Sequence, residues 1–497
     1  MRSLRTPGTK PSEQRSVEAR VYMRTHHPIR TLSSTRTRKR DAVALAGNKR
    51  VDADVVERKK LLVVGAGPAG LLFAHLVLAN PKQSFEVHIV DARPDPRLQT
   101  QETVRRQYSL GLGIRGRTAI RNVPGLWEEV KQKGVPCDKF LLHVGKRAVQ
   151  LRRNALPGTE ASLMINRDEL CHALLEGLVF RHGNSDKLTV SYNTRCVKVN
   201  VKSHEVTLES LKEDEHICAY DLLIGADGVN SCVRDALETS AGLAVEKKFL
   251  PNNWKVIYQK FPGNMDPLAV HAIQAPRAKN VEGSESFGMF FIPAPSNNAC
   301  ILINWNKNRP PLDLLNLQTG EEVAQLINSR VEAVEGGILA EACENFVLTR
   351  PSSPLTIKCN QYHNTMAKVL LLGDAAHSSG GASGQGANSS LQDAVVLEQL
   401  LASTGEDLDS ILEEFSRRQV KEGHALLDLS VYNQPRTIWV RILWLLQNAR
   451  RAIFSKLLPS IVQPPIPNLL TQTLTPFSEI RDKNSFWIDL VKKDMEE

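Results

Sequence analysis

Residues 61–70 read Leu61-Leu62-Val63-Val64-Gly65-Ala66-Gly67-Pro68-Ala69-Gly70, and the apolar residues Leu71, Leu72, Phe73, Ala74, Leu76, Val77 and Leu78 follow at helical length. Four apolar residues running into Gly-x-Gly-x-x-Gly predict a strand, a tight turn and a helix start, the first half of a dinucleotide-binding βαβ unit. Gly65 permits the turn, Gly67 lets the backbone approach a pyrophosphate, and Gly70, next to Ala69, lets helix and strand pack closely. The helix N-terminus offers free N–H groups and a positive dipole end to phosphate. Such a motif alone is weak evidence, and its surroundings decide. A second apolar run, Phe85 to Val90, ends at Asp91, 21 residues past Gly70. That is close to the roughly 20 expected for the acid that bonds a ribose 2′-OH. A glycine-rich turn without a ligand does not account for strand, helix, second strand and acid together.

The 497-residue chain carries a net charge of +9, which raises the question of nucleic acid. Residues 1–40 hold eleven Lys/Arg against two acids, Glu13 and Glu18, so the leader alone accounts for the excess. The rest is balanced, and no nucleic-acid partner is expected. The leader is rich in Arg, Ser and Thr and has no apolar core segment. It reads as an organelle transit peptide, for plastid or mitochondrion, or as a disordered basic tail. None of the eight cysteines forms a CxxC pair. No metal site is expected, and the thiols read as small core residues in a reducing compartment.

Two more landmarks lie far downstream. Asp221-Leu222-Leu223-Ile224-Gly225-Ala226-Asp227-Gly228 is an apolar strand ending in an acid, with Ser231, Val233 and Arg234 at a helix start. Val369 to Leu372 runs into Gly373-Asp374-Ala375-Ala376-His377, then into the loop Gly380 to Asn388. Both acids sit at strand ends, where ligands bind in α/β sheets. Between them, residues 248–354 turn strand-rich, with Phe287 to Ile292 and Cys300 to Trp305 as apolar runs and one helix over Glu321 to Val334. Further expectations are a helix from Arg115 to Val130, a hairpin over residues 138–152, and a helix opened by Asn166 and Arg167. The C-terminal run Ile438 to Leu446 is strongly apolar with basic neighbours. At nine residues it is too short to span a bilayer, which needs about 20. It reads as a surface-lying amphipathic helix giving peripheral membrane contact, or as a helix packed on the domain.

The three glycine-acid motifs, in this order, resemble the single-component FAD-dependent aromatic hydroxylases with the p-hydroxybenzoate hydroxylase fold, over residues 60–435. Within them, Val90 to Asp95, Leu110 to Arg117 and Asp428 to Asn433 resemble the kynurenine 3-monooxygenase branch. The resemblance implies an α/β fold. A split, Rossmann-like FAD-binding domain (58–247 and 355–430) would follow a leader (1–57). A β-rich substrate domain (248–354, with part of 138–165) would be inserted in it, and a helical C-terminal region (431–497) would follow.

The resemblance also implies FAD as cofactor, NAD(P)H and O2 as co-substrates, and a small-molecule substrate. The oxygen would reach the substrate from a flavin hydroperoxide, so no protein nucleophile is expected. Gly65, Gly67, Ala69 and Gly70 would hold the pyrophosphate, and Asp91 with Arg93 the adenosine ribose. Arg106 and Arg167 would reach the ribityl and phosphate groups. Asp227 and Gly228 would serve FAD and the approach of NAD(P)H, and Gly373 and Asp374 the ribityl hydroxyls. Gly384, Gln385, Gly386, Ala387 and Asn388 would lie along the flavin's pyrimidine edge. His377 would be structural.

The substrate pocket would draw on Phe140, Phe291, Gly381, Tyr432 and Asn433, and here the chain departs from its relatives. Phe140 occupies the position of an arginine that grips the amino-acid carboxylate in kynurenine hydroxylases. Gly381 replaces a proline. A bulkier, less polar substrate than kynurenine is expected. Kynurenine 3-hydroxylation itself and an FAD-binding protein without hydroxylase activity remain as alternatives.

Overall fold

The computed structural model describes residues 58–82, 84–98, 108–153, 160–210, 215–381, 383–403, 407–431, 435, 437–458 and 461–496. Its first sheet is built around Lys59–Val64. That strand pairs in parallel with Phe85–Asp91 on one side and Leu222–Gly225 on the other. Leu222–Gly225 pairs in parallel with Val369–Leu371, and Phe85–Asp91 with Leu188–Tyr192. Three stretches distant in sequence thus become neighbours, and Gly65, Asp227 and Asp374 all follow the C-terminal ends of adjacent strands. Leu61, Leu62, Val63 and Val64 are all buried, as a strand covered on both faces requires. The helices Pro68–Ala79, Arg167–His182 and Gly386–Ala402 pack in the same core.

A second six-stranded sheet runs in the order Asn252–Lys260, Asn298–Asn306, Phe287–Ala294, Ala269–Ala275, Lys139–Val144, Arg147–Arg153. The hairpin expected over 138–152 supplies its last two strands, joined through the parallel pairing of Lys139–Val144 with Ala269–Ala275. The helices Gly320–Arg330 and Ala340–Leu348 cover one face. A small sheet of Ser109–Leu112, Ser162–Asn166 and Val135–Cys137 lies between the two larger ones in the chain's path.

Three expectations need correction. The single helix over 115–130 is two, Ile114–Arg121 and Leu126–Lys131. Pro124 and the left-handed Gly125 (φ 78°) break it. The one helix expected over Glu321 to Val334 is Gly320–Arg330, opened by a capping box between Thr319 and Glu322, and a further helix, Ala340–Leu348, follows it in the insert. The apolar run at 438–446 is only the first half of a 20-residue helix, Ile438–Leu457. Among the described residues no helix is long and apolar enough to cross a membrane. The C-terminal helices close a third core of Leu426, Leu429, Ile466, Phe477, Ile480 and Ile488. They are tied to the first domain by Glu422, which accepts the Phe477 backbone N–H at 2.6 Å, and by Arg115, whose guanidinium lies 4.1 Å above the Phe477 ring.

Candidate active site

The glycine turn shows why each glycine is there. Gly65 adopts φ 111°, and a Cβ on it would lie 2.3 Å from the Ala226 carbonyl oxygen. A Cβ on Gly70 would lie 2.2 Å from the Gly65 oxygen. These two positions are closed by backbone. Gly67 is different: it caps the helix Pro68–Ala79 with φ −79°, an ordinary conformation. A Cβ there would meet nothing nearer than Arg167 Nη2 at 3.7 Å and the Ala226 oxygen at 3.9 Å. Open space in front of a helix N-terminus, with a guanidinium beside it, is an anion seat. Ala69 is buried in the first turn behind it.

Asp91 closes the second strand. Its carboxylate accepts the Ala66 N–H at 2.8 Å, the Arg93 N–H at 2.8 Å and two guanidinium bonds from Arg93. Burial pushes its pKa up, but the Arg93 hydrogen bonds and charge more than offset this and hold it below the usual value. Asp168 links the cations around the turn, 3.1 Å from Arg167 Nη1 and 3.9 Å from Arg93 Nη1. Arg167 starts its helix because Asn166 caps it, accepting the Asp168 N–H. Arg106 lies outside the described residues.

Asp227 Oδ2 accepts the Cys232 N–H at 2.8 Å, whereas its Oδ1 is buried without a partner among the described residues. Burial pushes its pKa up. A Cβ on the neighbouring Gly228, at φ 76°, would meet nothing within 4 Å. Asp374 begins a short helix after Gly373. Burial raises its pKa, opposed by the charges of His377 and Arg167. Gln385 Oε1 and Ser379 Oγ are likewise buried and without a partner among the described residues. Orphaned acceptors beside open glycine positions fit a ligand rich in hydroxyl and amide groups, and FAD has that character.

Asn388, expected along the flavin edge, takes a different role, whereas His377 takes the structural role expected of it. Asn388 Oδ1 accepts the Gly113 and Gly116 N–H groups, and its Nδ2 donates to the Gly111 and Gly384 carbonyls. The whole amide is engaged in the protein, so Asn388 shapes the loop. Gly384 (φ 65°), Gly386 and Ala387 present backbone at the start of Gly386–Ala402. His377 lies behind the site, its Nε2 2.7 Å from Asp393 Oδ2, and its ring stacks on Tyr362.

Gly380 and Gly381 adopt φ 64° and 78°. Proline is fixed near −65°, so a proline at position 381 requires a different backbone path. Gly381 is exposed, and a Cβ on it would meet nothing within 4 Å.

The second sheet meets this region through Trp254, whose ring is 5.6 Å from that of Tyr108, and Tyr258, whose hydroxyl accepts Asn166 Nδ2 at 3.1 Å. Alternation puts Trp254, Val256 and Tyr258 on one face, and the register aligns Val256, Leu302, Phe290 and Ala272 in a row across it. Phe140 joins this face, its ring 6.4 Å from that of Phe290. Phe291 does not. It is 0% exposed and packs against the helix-covered face, so its assignment to the pocket is corrected to Phe290. The signal was the run Phe290-Phe291, in which sequence gives no parity. Phe291→Ala is expected to cost about 3–5 kcal/mol in denaturant unfolding. Phe290→Ala is expected to change the KM for substrate with a smaller stability loss. Tyr432 and Asn433 lie outside the described residues.

Residues 58–430 match the FAD binding domain family. The chain is 26% identical to kynurenine 3-monooxygenase of Sus scrofa over 389 residues, covering 77% of each chain. It is 27% identical to that of Neurospora crassa over 412 residues, covering 76% of this chain and 78% of the relative. Its fold is similar to the tetrameric form of 2-methyl-3-hydroxypyridine-5-carboxylic acid oxygenase, with a TM-score of 0.59 at 17% identity over 86% of this chain and 98% of the other. It is also similar to PqsL of P. aeruginosa, seen in complex with 2-aminobenzoylacetate, with a TM-score of 0.59 at 17% identity over 75% and 95%. The chain belongs to the FAD binding domain family and is an FAD-dependent monooxygenase.

Proposed function

We propose that this monooxygenase takes reducing equivalents from NAD(P)H and adds one oxygen atom of O2 to an aromatic or otherwise electron-rich, largely apolar small molecule. FAD, when bound, supplies the redox and oxygen-activating chemistry. In this reading the Gly67 turn and its helix N-terminus would hold the pyrophosphate, Arg167 would offset its charge, and Asp91 with Arg93 would take the adenosine ribose. Asp374 would accept from the ribityl hydroxyls, and the backbone N–H groups at Gly386 and Ala387 would serve the flavin's pyrimidine edge. Asp227 would offer the cofactor its Oδ1, which has no partner among the described residues.

The observation that carries the substrate reading is the Phe140–Phe290 contact on the inward sheet face. An aromatic pair cannot compensate a buried carboxylate, and an unpaired one is costly. We expect NAD(P)H oxidation and O2 uptake by the FAD-loaded protein to be stimulated by apolar aromatics far more than by kynurenine. Phe140→Arg should weaken productive binding of such substrates by roughly tenfold or more. Robust 3-hydroxylation of kynurenine by the wild type defeats the substrate argument. Bound FAD with no NAD(P)H oxidation across a broad substrate panel favours a flavin-binding regulator.

We also propose that residues 1–57 direct the protein to an organelle and that Ile438–Leu457 rests on an anionic lipid surface. The helix contains no acid and its Arg441 and Arg450 are exposed, while Ile438, Trp439, Leu445, Leu446, Ile453 and Leu457 are each more than half exposed. Flotation with anionic vesicles tests this. Trp439→Glu with Leu446→Glu should abolish it, and unchanged flotation of that variant refutes the helix's role.

A further inference from the structure

Cys196 and Cys232 do not fit the expectation of inert core thiols. Cys196 is in the strand Thr194–Asn200, and Cys232 is the first residue of the helix Cys232–Ser240. Their sulfurs are 3.7 Å apart, with the Cys196 thiol donating to Cys232. Cys196 is buried and Cys232 half-buried, so a small oxidant reaches Cys232 first. Cys232 is also tied to the candidate cofactor site, because its own backbone N–H donates to Asp227 Oδ2 at 2.8 Å. The other oxygen of that carboxylate is buried and has no hydrogen-bond partner among the described residues.

We propose that Cys196 and Cys232 are a reversible disulfide site, and that closing the bond changes how tightly the protein retains FAD through Asp227. The coupling to FAD rests on the cofactor reading above; the disulfide itself does not.

The oxidant is hydrogen peroxide, the two-electron reduction product of O2. The Cys232 thiolate attacks one peroxide oxygen, the O–O bond breaks, and Cys232 becomes a sulfenic acid as hydroxide leaves. Cys196 sulfur then attacks the Cys232 sulfur. An S–S bond forms, the S–O bond breaks, and the Cys196 proton and the departing hydroxide leave as water. In sum, two thiols and one hydrogen peroxide give one disulfide and two waters, and a dithiol reductant reverses it. The order of attack follows from the site. The Cys196 hydrogen bond holds the Cys232 thiol below its usual value, against burial and the charges of Asp227 and Asp235. That same bond, with burial, pushes Cys196 up.

A disulfide needs its sulfurs about 2.05 Å apart. Drawing them together from 3.7 Å displaces both sulfurs, and in this proposal the first turn of Cys232–Ser240 follows toward the strand. The Cys232 N–H, which donates to Asp227 Oδ2, moves with it.

The test uses the full chain loaded with FAD. One equivalent of hydrogen peroxide should give a mass loss of about 2 Da, a Cys196–Cys232 linked peptide, and a several-fold change in the FAD release rate, all reversed by dithiothreitol. Cys196→Ser should leave Cys232 as a sulfenic acid that dimedone traps. Cys232→Ser should leave Cys196 unmodified. Absence of the linked peptide overturns the proposal, as does a linked peptide with FAD release unchanged. A reduced protein that takes up no FAD defeats the cofactor reading, while the linked peptide still reports on the thiol pair.

Discussion

Gly67→Val should give a folded protein that is nearly colourless, with FAD content on the order of a tenth of wild type or less. The reason is where the new atoms go. At Gly67 the backbone is in a region any residue adopts, and a Cβ has no protein atom nearer than 3.7 Å. The valine methyls therefore fill the space in front of the helix N-terminus and exclude a pyrophosphate. Replacing the glycine cap costs about 1 kcal/mol at most. Thermal unfolding should then match that of wild-type protein stripped of FAD, since loss of a bound ligand lowers apparent stability by itself. Gly65→Ala is the contrast. Its Cβ meets the Ala226 oxygen at 2.3 Å and its φ is 111°, so the strand ends must separate and soluble protein should be lost. If Gly67→Val retains full flavin absorbance, the pyrophosphate is not held at this turn.

Asp393→Ala should destabilise the protein by about 3–5 kcal/mol, the usual cost of breaking a buried ion pair by removing one partner. His377 and Asp393 are each 2% exposed and 2.7 Å apart, and the same carboxylate accepts the Gly373 N–H at 3.0 Å. The variant strands a histidine and a backbone donor at once. Burial lowers the His377 pKa, but the charge and hydrogen bond of Asp393 outweigh it and leave it raised. A raised pKa contributes stability that is complete below the unfolded value, about 6.5, and is lost as pH rises through the folded value. The gap between wild type and variant should therefore be widest in mild acid and narrow in alkali. Urea unfolding across that range measures it, and a gap that widens in alkali refutes a charged His377. Gly373 precedes Asp374, so FAD should also bind more weakly.

Both effects trace to residues legible in the sequence, though not equally. The Gly67 turn and the acid at Asp91 could be read because covalent geometry and spacing confine them. Only glycine tolerates the Gly65 conformation, and a strand, turn and helix must follow in order. The Asp227 and Asp374 motifs were legible as strand ends, and the parallel pairing of Lys59–Val64, Leu222–Gly225 and Val369–Leu371 brings them to one edge. The Asp393 partnership was not visible. It joins a helix residue to His377 across a buried gap, and nothing local marks the pair.

The amino-acid sequence by itself determined the dinucleotide turn, the acids at the strand ends and the inserted strands, because those rest on local patterns that survive without tertiary context; FAD and the split first domain came from the family resemblance of the three motifs. Tertiary structure alone decided that Phe290, and not Phe291, shares a face with Phe140, since adjacent residues of a strand differ only by which side its neighbours bury. It alone decided that Asn388 spends its amide on Gly111, Gly113, Gly116 and Gly384, and that Gly381 follows a left-handed path closed to proline. It alone brought Cys196 within 3.7 Å of Cys232. Each of these depends on which distant backbone lies opposite, and spacing along the chain does not encode that.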